Sequence, residues 1–225
     1  MAWADKRFTI PYTIKKINGD HYYKWRDLVK AGTVFLANTD GVGSNLMNPS
    51  PYKHGAIYYG KGLKSAVDNL IDELNTQFEN TQDSKIADKI DRLILFMLKN
   101  EIQDDICYVI EAVGKGVIAT NLVKFMTTKD KLLIIEPTFT DEWGMKLAAN
   151  NAIGDLGLPY DFGFHHDNTS KYCFEVVADA YEATRNDIKI HRKEWHLWGK
   201  KIFDAFLGES FLDEQWKIIV DSDKM

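Results

Sequence analysis

The chain has 225 residues, 45% of them hydrophobic and 12% aromatic, which is enough to bury a full core as one domain spanning 1–225. A formal charge of −5, mixed in sign along the chain and with no basic block, argues against a nucleic-acid partner. Two distant cysteines, Cys107 and Cys173, form neither a disulfide framework nor a zinc spacing, and no apolar run has signal-peptide or bilayer-spanning length, so the composition reads as a cytoplasmic protein without cofactor or metal.

The amino-terminal stretch sets Tyr12, Tyr22, Tyr23 and Trp25 among charges and is expected to be an exposed arm leading to a short helix at 23–29. Gly32 opens the apolar run Thr33-Val34-Phe35-Leu36-Ala37, whose β-branched and aromatic content suits a strand. The run ends in a turn-rich segment, 38–44, with Gly41 and Gly43. Without GxxxxGK[ST] or a full GxGxxG, this segment is read as a loop lining a cleft rather than a phosphate cradle, with Asp40 and Ser44 as candidate substrate-binding residues. A second strand follows at 52–60, where period two places His54, Ala56 and Tyr58 on one face. His54 is therefore held near a strand start, although a lone strand histidine also has a purely structural reading.

From 63 to 100 the period becomes helical. Val67, Leu70, Ile71, Leu74 and Phe78 line one helix and Ile86, Ile90, Leu93, Ile94 and Met97 a second, with Asp83 or Ser84 as the cap between them. This is a helical hairpin insertion, about 63–104, between two strands. Residues 106–113 form the third strand, and Gly114-Lys115-Gly116 turns into 117–119. Within that strand Glu111 is a carboxylate among apolar residues, which costs several kcal/mol if desolvated and unpaired. Its partner is either an imidazole or a cation such as Lys115.

A strand at 132–135 is closed by Glu136-Pro137, and Thr140-Asp141-Glu142 caps a helix running to about Ile153. Beyond the turn Gly157-Leu-Pro-Tyr-Asp-Phe162 and the polar run 165–170, Val176, Val177, Ala180 and Tyr181 mark one face of a helix. That puts Cys173 in its first turn, where unpaired backbone N–H groups and the positive end of the dipole favour thiolate. The alternative is a merely buried cysteine. His165-His166-Asp167 lacks HxxxH or HExxH spacing and reads as loop near the cleft rather than a metal site. A tryptophan-rich extension, about 190–225, is expected to form a helix over 196–206 and a strand at 216–220.

Three separated stretches resemble the YaeF/YiiX-type permuted papain-like amidases. They are Gly32-Thr-Val-Phe-Leu with Tyr52-Lys-His-Gly-Ala-Ile-Tyr-Tyr-Gly60, then Ile110-Glu-Ala-Val-Gly-Lys-Gly-Val117, then Gly157-Leu-Pro-Tyr-Asp-Phe162 with Tyr172-Cys-Phe-Glu-Val-Val177. The resemblance implies an α+β, papain-like, circularly permuted fold with an antiparallel sheet packed on the nucleophile helix. The histidine precedes the cysteine in such a chain, as His54 precedes Cys173. It also implies Cys173 as nucleophile, His54 as general base, Glu111 as orienting carboxylate, and Tyr160 at the oxyanion site, with Tyr172 a further substrate-binding candidate. One departure is Phe174, where the family commonly has a small residue, often serine; a phenylalanine there is expected to narrow the cleft or change its substrate.

The chemistry is coherent on its own terms. A free thiol of pKa about 8.5 is only a few per cent thiolate at neutral pH, and an adjacent imidazole and a helix N-terminus raise that fraction. The activity so implied is cysteine hydrolysis of an amide in a small-molecule, peptide or lipid-like acyl substrate. Acyl transfer on the same fold and a catalytically silent binding module are the alternatives. Oligomeric state is left open.

Overall fold

The apolar run at Val34 forms β1 (Val34–Asn38), and the segment from His54 forms β2 (His54–Gly60), paired antiparallel with it. The computed structural model describes residues 17–39, 50–164, 169–197 and 200–224, with the backbone alone at 196, 197, 202 and 203. The helical stretch divides at Gln82, whose left-handed φ of 53° ends α2 (Leu63–Thr81). Asp83 then starts α3 (Ser84–Lys99), its side chain accepting from the Lys85 N–H as a capping residue should. β3 (Tyr108–Val113) and β4 (Gly116–Asn121) form the expected hairpin.

Next come α4 (Leu122–Thr127), β5 (Lys131–Pro137) and α5 (Glu142–Ile153), the last capped by Asp141, which accepts from the Gly144 N–H. The cysteine helix is α6 (Cys173–Glu182). β6 (Lys193–Leu197) and β7 (Lys200–Ala205) pair with each other, and after a short 3-10 turn β8 (Trp216–Asp221) returns to the main sheet. That sheet runs β4-β3-β2-β1-β5-β8, with every pairing antiparallel.

Strand alternation gives the sheet two apolar faces. Val34, Leu36, Ile57, Ile110, Leu133 and Ile135 pack in one cluster with α5, α6 and the α2–α3 hairpin. Phe35, Ala37, Ala56, Tyr58, Val109, Leu132 and Ile134 pack in another with Trp25, Leu122, Phe125 and Met126. The hairpin insertion is integral to the first cluster. Its Leu93 is fully buried, and the Arg92 guanidinium donates to the carbonyls of Gly154 (2.8 Å) and Leu156 just beyond α5.

Three expectations need correction. The amino-terminal helix α1 lies earlier, at Gly19–Trp25, because Asn18 caps it by accepting from the N–H groups of Asp20 and His21. Its Trp25 is buried in the second cluster rather than exposed, whereas Tyr23 is exposed. α4 was not anticipated: six residues carry too little periodicity to read, and Asn121, which caps it, was the one signal. Finally, the helix expected over 196–206 is the β6–β7 hairpin. Gly199 falls mid-segment, where a helix would lose stability, and pairing sets Trp195 opposite Phe203 while the Lys201 ammonium meets Glu194 at 2.9 Å. The strand at the end of the chain is as expected, and β8 completes the sheet beside β5.

α6 and the segment leading into β1 are joined through Tyr181. Its hydroxyl donates to the Gly32 carbonyl at 2.5 Å, and its ring packs edge-on to Phe139 and Trp216. Gly32 sits at φ +92° with no room for a side chain, since a Cβ there would lie 2.2 Å from the Met145 carbonyl oxygen. Tyr181→Phe removes the donor while keeping the ring. It should cost about 1–3 kcal/mol of stability, read as a lower midpoint in urea unfolding at unchanged slope.

Candidate active site

Pairing of β2 with β3 sets Ala56 opposite Glu111, so His54, two residues earlier on the same face, is Glu111's diagonal neighbour. The two side chains close that diagonal: Nε2 of His54 lies 2.6 Å from Oε2 of Glu111. Glu111 is only 6% exposed at its side chain and His54 17%, so the contact is largely shielded from solvent. Lys115, the alternative partner considered for Glu111, is not the group that meets it; the cation beside the carboxylate is Lys129, 3.8 Å from the same oxygen.

Cys173 is the first residue of α6, and α6 packs on the opposite face of the sheet, over Gly55. Its sulfur therefore meets the start of β2 end-on. The His54 imidazole and the backbone N–H groups of Gly55 and Phe174 act on its charge, and the thiol itself meets the Lys53 carbonyl at 4.0 Å. With Nε2 engaged by Glu111, Nδ1 is the ring nitrogen left for the thiol. The Phe174 N–H belongs to the first helical turn, so the helix tip itself contributes a donor.

The electrostatics follow from these contacts. Burial works against the Cys173 thiolate, but the imidazole and the two backbone donors outweigh it and hold the thiol below its ordinary pKa. Burial and Lys129 work against imidazolium at His54, yet Cys173 and Glu111 outweigh them and the ring titrates above its ordinary value. Glu111 is pushed down to about 2: burial opposes its charge, and the imidazole, Lys129 and a Thr120 hydrogen bond overcome it.

Phe174 does not narrow the cleft. Its ring turns into the core, 1% exposed, stacks on Phe211 at 5.9 Å, and occupies the space left by the missing side chain of Gly55, where a Cβ would lie 2.6 Å from it. Tyr172, immediately before α6, also points inward: it is 3% exposed and its hydroxyl accepts from the Phe206 N–H at 2.7 Å. Tyr160 is half-buried beside Phe162, with its backbone bridged to Lys171. Burial first, and the Cys173 charge second, keep its phenol protonated. Asp40 and Ser44, with His165, His166 and Asp167, lie outside the described residues.

Sequence reasoning missed two charged residues near the site. Lys129 follows the unanticipated helix α4, its ammonium 4.5 Å from the Phe125 ring centre. Lys171 is 3% exposed at its side chain and pairs with Glu175, also buried, and with Asp179. The signal for the second was present: Lys171, Glu175 and Asp179 recur every four residues, a charged stripe on an otherwise apolar helix. A cavity of about 550 Å³, lined by residues including Thr140, Trp143 and Arg185, does not have Cys173 in its lining.

Comparison with known proteins bears on the family and the fold. The family model for the permuted papain-like amidase enzymes, YaeF/YiiX, C92 family, matches residues 28–219. The crystal structure of the metalloprotein YiiX from Escherichia coli O157:H7 is similar over 85% of this chain and 97% of that one, with a TM-score of 0.56 and 16% identity. Protein OPG091 of vaccinia virus (strain Western Reserve) is 39% identical over 82 residues, and that of monkeypox virus 38%; each match spans 36% of this chain and 43% of the viral protein, so the chain covers less than half the length of these relatives. The chain belongs to the permuted papain-like amidase family, and its fold is the expected α+β arrangement.

The depressed pKa of Glu111 fixes the sign of a stability effect. The carboxylate's contribution is present above its unfolded pKa, near 4.5, and is lost as pH falls toward about 2. Urea unfolding of Glu111→Gln between about pH 5 and 3 should show a flatter acid dependence than the unsubstituted protein.

Proposed function

Taking family membership as the premise, we propose that this chain is a cysteine hydrolase that cleaves an amide bond through an acyl-enzyme. The observation that carries the reading is the convergence of a thiol at a helix tip, an imidazole at a strand start and a carboxylate 2.6 Å from that imidazole, from three segments remote in sequence. In the resting site the proton sits on His54 and the charge on sulfur, an ion pair favoured by the opposite shifts of the two groups.

Cys173 Sγ attacks the carbonyl carbon, and the oxygen takes up the negative charge. The Cys173 backbone N–H is the first donor to that oxyanion, as the helix's opening N–H groups have no intrahelical acceptor. Tyr160, kept protonated, is the second. The His54 imidazolium gives its proton to the leaving nitrogen, the C–N bond breaks, and a thioester remains. Imidazole then takes a proton from water as the hydroxyl oxygen attacks the thioester; collapse releases the acid and restores the ion pair. Glu111 holds the ring orientation throughout and stabilises its cationic form. Tyr172 has no contact with substrate in this scheme; it anchors the helix start to Phe206.

The similar YiiX structure is named as that of a metalloprotein. Among the described residues here, no group of three or more His, Cys, Asp or Glu side chains is placed to hold a metal ion. No helix among the described residues is long and apolar enough to cross a membrane.

A thiol-directed substrate analogue such as a peptidyl chloromethyl ketone, from which the thiolate displaces chloride, should label Cys173 at neutral pH and leave Cys107 unlabelled, as located by peptide mass. Cys173→Ala should abolish labelling and Cys107→Ala should retain it. His54→Ala should slow it at least tenfold by removing the group that sustains the thiolate. Equal labelling of the two cysteine variants would overturn the assignment.

A further inference from the structure

The proposed ion pair creates a problem of charge. Thiolate, imidazolium and the Glu111 carboxylate together carry one net negative charge, and each sits in a side chain exposed by less than a fifth. A net charge held away from water is costly unless something balances it. The turn between α4 and β5 supplies the balance: Lys129, 12% exposed, brings its ammonium 3.8 Å from the Glu111 oxygen that also meets His54. Cations and anions then alternate in one line, ammonium, carboxylate, imidazolium, thiolate.

The lysine's placement is constructed by its neighbours. Its own N–H donates to the Met126 carbonyl at 3.1 Å, and the following Asp130 N–H donates to the Asn38 carbonyl at 2.9 Å, which ties the turn to the end of β1. Its ammonium rests over the Phe125 ring, a cation–π contact. The same ring lies 6.1 Å from the imidazole. Phe125 thus spaces the two cations while the carboxylate joins them.

We propose that Lys129 is a positioning residue of the site, which balances the buried Glu111 carboxylate and limits how tightly that carboxylate makes His54 hold its proton. This rests on the catalytic reading above. With Glu111 alone, only burial would oppose the imidazolium, and the ring would part with its proton more reluctantly at the leaving nitrogen. The ammonium behind the carboxylate weakens that hold. Among the described residues, the charged or titratable groups facing His54 are Glu111 from β3, Cys173 from α6 and Lys129 from the α4–β5 turn, with Lys53 its neighbour along the chain. Lys129 is the cation among them whose charge opposes protonation of His54, from the same face of the sheet.

The test uses the full chain with Cys107→Ser, so that one thiol reports. Iodoacetamide alkylation of Cys173 is followed against pH, and the His54 ring signal is titrated by NMR and assigned by its loss in His54→Gln. Lys129→Met keeps a chain over Phe125 without the charge; it should move the His54 titration to higher pH, while Lys129→Arg should leave it near the unsubstituted value. Lys129→Gln repeats the measurement in case the methionine variant fails to fold. A fully folded Met or Gln variant whose His54 titration does not move overturns the role of Lys129 and leaves the catalytic reading standing. A Cys173 that alkylates like an ordinary exposed thiol before any change at Lys129 overturns both.

Discussion

A shielded imidazole is most easily protonated where an anion is held against it, and strand register in this structure holds the Glu111 carboxylate against His54. The 2.6 Å contact between His54 and Glu111 is set by strand register: Ala56 faces Glu111 across the β2–β3 pair, and the diagonal closes from there. A slip of one residue in that pairing would turn the carboxylate to the opposite face, among the apolar side chains packed on α6. Register is in turn enforced by burial on both faces of the sheet, where Val109 and Ile110, neighbours of Glu111, belong to different clusters. The core therefore does chemical as well as structural service.

The thiol arrives from the other side. α6 crosses the sheet over Gly55, and the Phe174 ring fills the place a side chain would take there. This explains how a bulky residue is accommodated directly after the cysteine: it is accepted by the glycine of the His-Gly pair, not by the cleft. The packing of Phe174 on Gly55 brings together backbone N–H groups of β2 and α6 that both lower the Cys173 pKa. Packing and thiolate stabilisation have a common origin.

What could be read from the sequence was what strong local pattern carries. Long helices with caps, such as the one begun by Asp83, and strands bounded by glycines were legible, as was the placement of Cys173 at a helix start. The three residues proposed for the site stood out by type and setting, a carboxylate in an apolar strand above all, while the roles proposed for them came from the family resemblance. Short or composite elements were not. α4 spans six residues, and the β6–β7 hairpin mixes tryptophan and charge at spacings that suit a helix almost as well as a strand. Lys129 was hidden for the same reason: a lysine after an unrecognised turn of helix gives no hint that tertiary contacts bury it. Trp25 was misjudged because charged neighbours say little about which way an aromatic ring on a short helix faces.

Lys171 has a consequence for how this cleft could change shape. Its backbone hydrogen-bonds to Pro159 and Asp161, on either side of Tyr160, while its ammonium is sunk against Glu175 and Asp179 on α6. The tyrosine-bearing wall and the sulfur-bearing helix are thereby riveted into one mechanical part. Prising them apart means rupturing a buried ion pair, a penalty of about 3–5 kcal/mol. Any widening around the thiol has to come from other segments, because this flank behaves as an anvil.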